Sequence, residues 1–292
     1  MTLVQFFEAI TKLAGLLFVV SSMLSMGLGL TLAQIIQPLK NVRLVLLALL
    51  GNFVLVPLLA YVITLLVPLD PALRIGLAVL ATAAGAPFLP KLVESAKGNV
   101  AFGVGLMVLL MVTTVIYIPL ALPLFLQGVT VNAWDIAKSL IVLMLIPLVI
   151  GLLVKENSPE TAAEWQPVMA RVSSLAMLLL VVTGLGLNIG NILDLIGTGG
   201  ILALLLFIFG ALLIGLLLGG RDSSTRSVMG LGTAQRNVSA ALVVAAQNFS
   251  GTTTLPFVLV GATLLLLVLL PTAKQLGKRA DLAGPAEPAG AG

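Results

Sequence analysis

The sequence predicts an all-α polytopic membrane protein with about nine transmembrane helices. Hydrophobic residues make up 60% of the 292 residues and charged residues only 9%, and the mean hydropathy is +1.20. A soluble domain carries roughly 25% charged residues, so this chain cannot cover a surface that faces water. The apolar residues fall in continuous runs of about 20, the length of a helix that crosses the hydrocarbon layer, and not in the alternating segments of a β-barrel.

Nine apolar runs follow one another along the chain. They lie near residues 13–35, 44–66, 72–95, 100–126, 136–154, 168–196, 201–219, 224–249 and 254–270. The first run is too long for a cleaved signal peptide and has no convincing small-residue cleavage site, so it is predicted to remain as a helix. Residues 280–292 are rich in Ala, Gly and Pro, which predicts a disordered cytoplasmic tail.

The positions of Lys and Arg predict the orientation, because these residues concentrate in cytoplasmic loops. If the N-terminus lies outside, only Lys12, Arg74 and Lys138 remain on the outer side, all near helix ends. The cations that then lie inside are Lys40, Arg43, Lys97, Lys155, Arg171, Arg221, Arg226, Lys274, Lys278 and Arg279. We therefore predict an integral protein of the cytoplasmic (inner) membrane with its N-terminus outside and its C-terminus inside.

Composition also excludes several functions. The chain has 0 His and 0 Cys, which removes imidazole bases, His proton relays and thiolate chemistry. No nucleophile–base pair or metal cluster is visible, so the sequence does not predict an enzyme. The net charge is +4, but the cations are scattered singly, so the predicted partner is the lipid bilayer and not nucleic acid. The sequence leaves the oligomeric state open.

An internal repeat organises the apolar runs. The segment Gly27-Leu28-Gly29-Leu30-Thr31 recurs as Gly184-Leu185-Gly186-Leu187-Asn188, 157 positions later. This offset pairs runs one to four with runs six to nine and leaves the fifth without a partner. The predicted repeats are residues 1–130, with four helices, and 131–279, with five, in opposite orientations as in many secondary transporters. The alternative is a chance recurrence in a chain rich in Leu and Gly.

Two interruptions mark the predicted binding site, one in the third run at residues 85–91 and one in the eighth at 232–237. Prolines disfavour helix in the first, and the second holds Arg236. A charge at the bilayer centre costs at least ~2.5–3.5 kcal/mol and usually faces a cavity or partner. Two broken helices that cross would form a site for an anion. The predicted substrate-binding residues are Arg236, Asn237, Gln235, Thr233, Pro87, Pro90, Lys91 and Asn188.

In these segments the chain resembles the bile acid/sodium symporter family. The resemblance rests on Met-Gly-Leu-Gly-Leu-Thr-Leu at 26–32, Gly-Asn-Phe-Val-Leu-Val-Pro at 51–57, Ala-Lys-Gly-Asn-Val-Ala at 96–101 and Gln-Arg-Asn at 235–237, followed by Ala-Ala-Leu at 240–242 and Asn-Phe at 248–249. It implies a panel domain and a core domain that rock around two crossed, discontinuous helices and carry organic anions with sodium.

The resemblance also shows where this chain departs from the family's sodium ligands. Asn52 stands where the family has a sodium-binding Gln, and either Gln235 or Arg236 matches a second one, so Asn52 and Gln235 are the candidate ion ligands. The other family ligands fall on Leu89, Pro90, Gly103, Met107 and Gly232, which offer no suitable side-chain oxygen. We therefore predict no cofactor other than a sodium ion whose usual ligands are largely absent.

These departures suggest that Arg236 acts as a fixed cation in place of sodium. The alternative is that its guanidinium snorkels or pairs with backbone carbonyls at the crossing. Proton coupling would need Glu94 or Asp194, both near helix ends, and an ion pair between Glu94 and Lys91, three residues apart, is favoured instead.

The predicted function is secondary transport of a small or amphipathic organic anion by alternating access. A channel or a non-transporting membrane sensor on the same scaffold remains the alternative.

Overall fold

The computed structural model describes residues 3–36, 40–125, 133–187, 190, 195 and 197–283. All regular elements in these ranges are helices. They are α1 Leu3–Gly29, α2 Leu32–Ile36, α3 Val42–Leu66, α4 Pro71–Thr82, α5 Leu89–Ser95, α6 Val100–Phe125, α7 Ala133–Asn157, α8 Pro159–Leu187, α9 Gly200–Leu218, α10 Ser223–Ala234, α11 Val238–Asn248 and α12 Thr254–Ala283. α3 and α7 each contain one π-helical segment, at Gly51–Leu55 and Ile141–Leu145.

Six of the described helices, α1, α3, α6, α7, α9 and α12, are long and apolar enough to cross a membrane. Large apolar side chains cover their outer faces: Leu66 is 74% exposed, Leu124 76% and Leu217 70%. In water such a surface would be costly, whereas in lipid it is the ordinary exterior. The structure is thus that of an all-α integral membrane protein, and the number of nine crossings stays a prediction.

The third and eighth predicted spans are each divided into two shorter helices. In the third, α4 ends at Thr82 and α5 begins at Leu89, so the break lies earlier than the predicted 85–91. Pro90 and Lys91 belong to the first turn of α5, where a proline removes no intrahelical hydrogen bond. In the eighth, α10 continues through Ala234 and α11 starts at Val238.

Several helix ends differ from the predicted boundaries because the apolar runs do not mark where a helix stops. α1 begins ten residues before the predicted first span and ends at Gly29, and α8 extends from 159 to 187 where 168–196 was predicted. α12 continues to Ala283, so residues 280–283 of the predicted tail are helical, while 284–292 lie outside the described residues.

An ion pair between Asp281 of α12 and Lys97, in the turn after α5, joins these two segments.

The loop before α10 ends in a helix cap. The Asp222 side chain accepts a hydrogen bond from the Thr225 backbone N–H at 2.7 Å, which satisfies one of the free donors of the first turn. Hydrogen bonding from Thr225 lowers the pKa of Asp222. The stabilisation that this carboxylate provides is therefore present at neutral pH and is lost only as the pH falls through that lowered pKa.

Helices α1, α7 and α8 pack mainly against one another and form one group, while the other long helices surround α4, α5, α10 and α11. The first group is held by a close backbone contact between α1 and α7. A Cβ atom added to Gly27 would lie 2.3 Å from the Leu148 carbonyl oxygen, and one added to Gly151 would lie 2.6 Å from that of Leu24. Only glycine permits this approach, as at other small-residue interfaces in membranes.

Replacing Gly27 with alanine is expected to destabilise the protein by about 1–3 kcal/mol. The new methyl group would overlap backbone atoms of α7, and unlike a side chain these atoms cannot rotate away. Gly15→Ala on the same helix is the matched control, since a Cβ there would meet only Leu180 Cδ1, at 3.8 Å. Thermal unfolding in detergent should show a loss for Gly27→Ala and none for Gly15→Ala. Equal melting temperatures would contradict the close contact.

Candidate functional site

The two helix breaks meet and are joined by Asn237. Its backbone N–H donates to the Ala83 carbonyl at 2.9 Å, and its side-chain Nδ2 donates to the Gly85 carbonyl at 3.0 Å. Its Oδ1 accepts the Ala240 N–H at 3.0 Å and so caps α11. In addition, α4 packs against α11 and α5 against α10. This is the contact pattern of two interrupted helices that cross at their breaks.

Other polar groups of the first break also find partners within the protein. The Thr114 hydroxyl of α6 donates to the Ala84 carbonyl at 3.0 Å and accepts the Ala84 N–H at 2.9 Å. The Leu89 N–H donates to the Ala86 carbonyl at 3.0 Å. Irregular backbone at membrane depth requires such partners, and these bonds hold the break in one conformation.

Arg236, in the second break, is 0% exposed and directs its guanidinium at oxygen atoms of the protein. Nε donates to the Leu80 carbonyl at 3.0 Å and Nη2 to the Ala81 carbonyl at 2.8 Å. Nη1 donates to the Thr233 carbonyl and to Asn52 Oδ1, both at 2.9 Å. The three carbonyls belong to the last turns of α4 and α10, the negative ends of those helices, so this is a favourable place for a cation.

Asn52 is held in position by the π-helical segment of α3. Its Nδ2 donates to the Ala48 carbonyl at 3.0 Å and to the Thr233 hydroxyl at 3.4 Å, and the side chain is fully buried. The same segment receives a hydrogen bond from the Tyr117 hydroxyl to the Phe53 carbonyl at 2.6 Å. π-Helical turns often occur at functional sites, and here the turn presents the Asn52 amide oxygen to Arg236.

The oxygens that surround the Arg236 guanidinium are poorly suited to a sodium ion. Sodium needs a shell of oxygen ligands with free lone pairs and favours nearby negative charge. The four oxygens suitable for such a shell already accept hydrogen bonds from Arg236, and a guanidinium among them would repel a second cation. Asn52 Oδ1, a predicted ion ligand, accepts a hydrogen bond from Arg236, and the ion-binding roles of Asn52 and Gln235 stay predictions.

A cavity of about 670 Å³ borders the crossing, between α1 and α8 on one side and the helix breaks with α6 and α12 on the other. The second break contributes Gln235, Arg236, Val238 and Ser239. Gln235 is 3% and Ser239 1% exposed, yet Gln235 Oε1 and the Ser239 hydroxyl have no hydrogen-bond partner among the described residues. Two unpaired buried polar groups beside a cavity indicate where a ligand could bind.

The structure brings only some of the predicted site residues to the cavity. Pro87, Pro90, Gln235 and Arg236 line it, although the bonds of Arg236 go to the protein, so a bidentate contact with substrate is not what this geometry provides. Thr233 and Asn237 are buried at the crossing and are not among the lining residues. Lys91 is exposed and also lies outside the lining, and Asn188 lies outside the described residues.

The expected ion pair between Lys91 and Glu94 is not formed. Both side chains are exposed on α5, and the salt bridge found within the described residues joins Lys97 to Asp281 instead. Glu94 therefore lies at the surface and is not among the residues that line the cavity.

Sequence reasoning missed the polar residues on the wall opposite the helix breaks. These are Ser22 and Ser25 of α1 and Gln166, Ser173 and Ser174 of α8. Ser239, at the start of α11 on the side of the breaks, was missed as well. A signal for Ser22, Ser173 and Ser174 was present, because a Val-Ser-Ser run precedes each Gly-Leu-Gly-Leu segment, at residues 20–22 and 172–174.

An all-helical membrane protein with two interrupted helices that meet beside a cavity has the architecture of a secondary transporter. The family described as Sodium Bile acid symporter family matches residues 16–195, which is more than half of the chain. The protein therefore belongs to this family of membrane transporters, as the sequence motifs predicted. Membership in a transporter family is consistent with the prediction that it is not an enzyme. No curated protein matches the chain.

Proposed function

We propose that the protein is a secondary transporter of a small or amphipathic organic anion in which Arg236 replaces a bound sodium ion. One observation carries the proposal: the Arg236 guanidinium is fully buried and donates to four oxygens where two helix C-termini and Asn52 converge. Because the guanidinium is permanently charged and bonded to the protein at the crossing, it gives the site a positive potential without a co-transported cation.

The charge of the cavity supports an anionic substrate. Among the described residues that line it, Arg236 is the only charged one. Four of its five N–H donors bond the protein, so it would act on a ligand mainly through its field, which is stronger in a buried site than in water. Beside it the N-terminus of α11 carries the positive end of an 11-residue helix, and Ser239 in its first turn offers an unpaired hydroxyl.

The two walls of the cavity suit an amphipathic molecule. One wall has the serines and Gln166 of α1 and α8, while Met26, Met107, Met177 and Phe88 give apolar surface around them. Ligand pockets typically measure about 300–1,000 Å³, so 670 Å³ accommodates anything from a small carboxylic acid to a larger amphipathic anion.

The position of the cavity supports alternating access. It lies between the group formed by α1, α7 and α8 and the helices that hold the two breaks. Rocking of one group against the other would open such a cavity to each side in turn. In this proposal α1, α7 and α8 form the panel domain and the remaining long helices the core domain, within repeats at 1–130 and 131–279.

We also propose the predicted orientation in the cytoplasmic membrane, with the N-terminus outside. The ion pair between Lys97 and Asp281 puts the turn after α5 and the end of α12 on one side of the membrane. The excess of Lys and Arg on that side supports its assignment as the inner one. Because the chain has 0 Cys, single cysteines introduced at the exposed positions Gly251 and Lys278 can be labelled without background. An impermeant maleimide added outside cells should label the former and not the latter, and the reverse would overturn the orientation.

The experiment that tests the proposed function is uptake into proteoliposomes of four labelled anions: taurocholate, pantothenate, pyruvate and estrone sulfate. An inward sodium gradient is compared with the same gradient of choline. Saturable uptake with counterflow that is equal in both salts is the expected result. Uptake that requires sodium would overturn the surrogate role of Arg236. Non-saturating flux would indicate a channel, and binding without flux a sensor.

Ser239→Ala should weaken substrate binding about tenfold or more, since a hydrogen bond to a charged group contributes about 1.5–3 kcal/mol. The measurement is the KM of uptake for the anion that is transported best. Ser227→Ala is the matched control, because that buried hydroxyl of α10 bonds the Ser223 carbonyl at 2.9 Å and does not line the cavity. An unchanged KM in Ser239→Ala would remove this residue from the site.

A further inference from the structure

The ionisable groups around the cavity determine which charges can cross the membrane with the substrate. Arg236 is the one charged side chain that is buried among those whose exposure the structure describes. No Asp or Glu lines the cavity within the described part of the chain, and the sequence contains 0 His and 0 Cys. The lining residues that the structure describes therefore include no side chain of the kind that takes up and releases a proton at physiological pH.

The charge that balances the substrate is part of the protein. The Arg236 guanidinium is bonded to the carbonyls of Leu80, Ala81 and Thr233 at 2.8–3.0 Å, so it stays in the core when the substrate leaves. A sodium ion in its place would be carried through with the substrate and would offset its charge. With a fixed cation, one negative charge crosses the membrane for each monovalent anion that is moved.

The membrane potential then sets the direction of transport. Moving one charge through about 100 mV changes the equilibrium ratio of concentrations by roughly fifty-fold. In a cell whose interior is negative, this term drives an uncompensated anion outward and opposes its accumulation. The same carrier can still take an anion in if another anion leaves in exchange, because such a cycle moves no net charge.

We propose that net transport by this protein is electrogenic and that the membrane potential drives the organic anion outward. Uptake then proceeds by electroneutral exchange with another anion, and the protein is not a concentrating uptake system. The inference rests on the proposed function, since it requires an anion that travels without sodium. It adds the direction and the driving force, which follow from where the compensating charge is fixed.

The test uses the full-length protein in proteoliposomes whose potential is set by valinomycin and a potassium gradient, in sodium-free buffer of equal pH on both sides. The probes are taurocholate, pantothenate, pyruvate and estrone sulfate, each a monoanion. A potential of about 100 mV, positive inside, should drive accumulation toward a fifty-fold ratio. A negative interior should exclude the same anion, and a preloaded unlabelled anion should restore uptake by exchange. Protein-free vesicles under the same gradients provide the background.

The outcomes separate this inference from the proposed function. Transport that needs sodium, or no transport of any probe, would overturn the proposed function and the inference with it. Sodium-independent transport that ignores the potential would overturn the inference alone. So would accumulation driven by a pH gradient at zero potential, which would indicate a proton carrier such as Asp194, a residue outside the described ranges.

Discussion

Arg236→Ala is expected to lose stability in sodium-free buffer and to recover part of it when sodium is added. Truncation leaves Asn52 Oδ1 and the carbonyls of Leu80, Ala81 and Thr233 without the donor that now binds them. Each unpaired buried acceptor costs ~1–3 kcal/mol. Water in the vacated space satisfies some of them, and we expect a net loss of at least ~3 kcal/mol.

Sodium should reverse part of this loss, because the four oxygens that lose the guanidinium form a shell of the kind that hard cations prefer. A ligand that binds only the folded state raises its stability in proportion to the logarithm of its concentration. The melting temperature of the purified variant should therefore rise with sodium chloride and not with choline chloride at equal ionic strength. The wild-type protein should respond equally to both salts, because its guanidinium occupies the shell.

Arg171→Ala is the matched control for this substitution. Arg171 is an exposed guanidinium on α8 and does not line the cavity, so its removal should change stability little and create no response to sodium. An Arg236→Ala protein as stable as the wild type would show that the network does not stabilise the crossing. One that is destabilised but indifferent to sodium would show that the oxygens do not form a cation site.

The sequence predicted that Arg236 is central, but not the direction of its side chain. Its cost in lipid and its place in a helix break were visible from composition and spacing alone. The acceptors at Leu80, Ala81 and Asn52 are about 155–184 positions away in the chain, and backbone carbonyls leave no pattern in a sequence. The structure shows the guanidinium paired with carbonyls, a pairing that the proposed role as a fixed cation also accommodates.

Helix breaks were located from the sequence to within a few residues, for an understandable reason. Proline disfavours helix for the residue before it, so a break was predicted around Pro87 and Pro90. Pro90 is nevertheless accommodated in the first turn of α5, because a helix start has no hydrogen bond for proline to remove. Sequence rules thus indicate that an interruption exists more reliably than on which side of a proline the helix resumes.

Lining residues of the cavity were the least predictable part. Serine is common inside membrane helices, where its hydroxyl can bond a backbone carbonyl of the preceding turn, so a single serine does not indicate a cavity. Gly27 presented the same difficulty: its spacing indicated a repeat, while its contact with the α7 backbone depends on a partner more than 120 positions away. Both roles depend on which helices become neighbours.

Gly85→Ala is expected to have the second large effect, because two independent costs meet at this position. Gly85 has φ +78°, a conformation that costs an L-residue about 1–2 kcal/mol. Its Cβ would also lie 2.1 Å from the Met111 N atom and 2.6 Å from the Met107 carbonyl oxygen. Both are backbone atoms of α6, so neither can rotate away.

The two costs can be separated with a second glycine. Gly251 has φ +79°, and a Cβ added there would meet nothing within 4 Å, so Gly251→Ala pays only the conformational cost of about 1–2 kcal/mol. Gly85→Ala should lose a further ~1–3 kcal/mol from overpacking. Thermal unfolding of the two variants measures the difference, and equal losses would show that α6 yields at no cost.

Transport should fall further than stability in Gly85→Ala. The Gly85 carbonyl accepts the hydrogen bond from Asn237 Nδ2, so a shift of Gly85 away from α6 disturbs the link between the two breaks and the wall of the cavity beside Pro87. At a temperature where both variants are folded, Gly251→Ala should retain uptake of the transported anion while Gly85→Ala loses most of it. Full uptake by folded Gly85→Ala would mean that the geometry of the first break does not control access to the cavity.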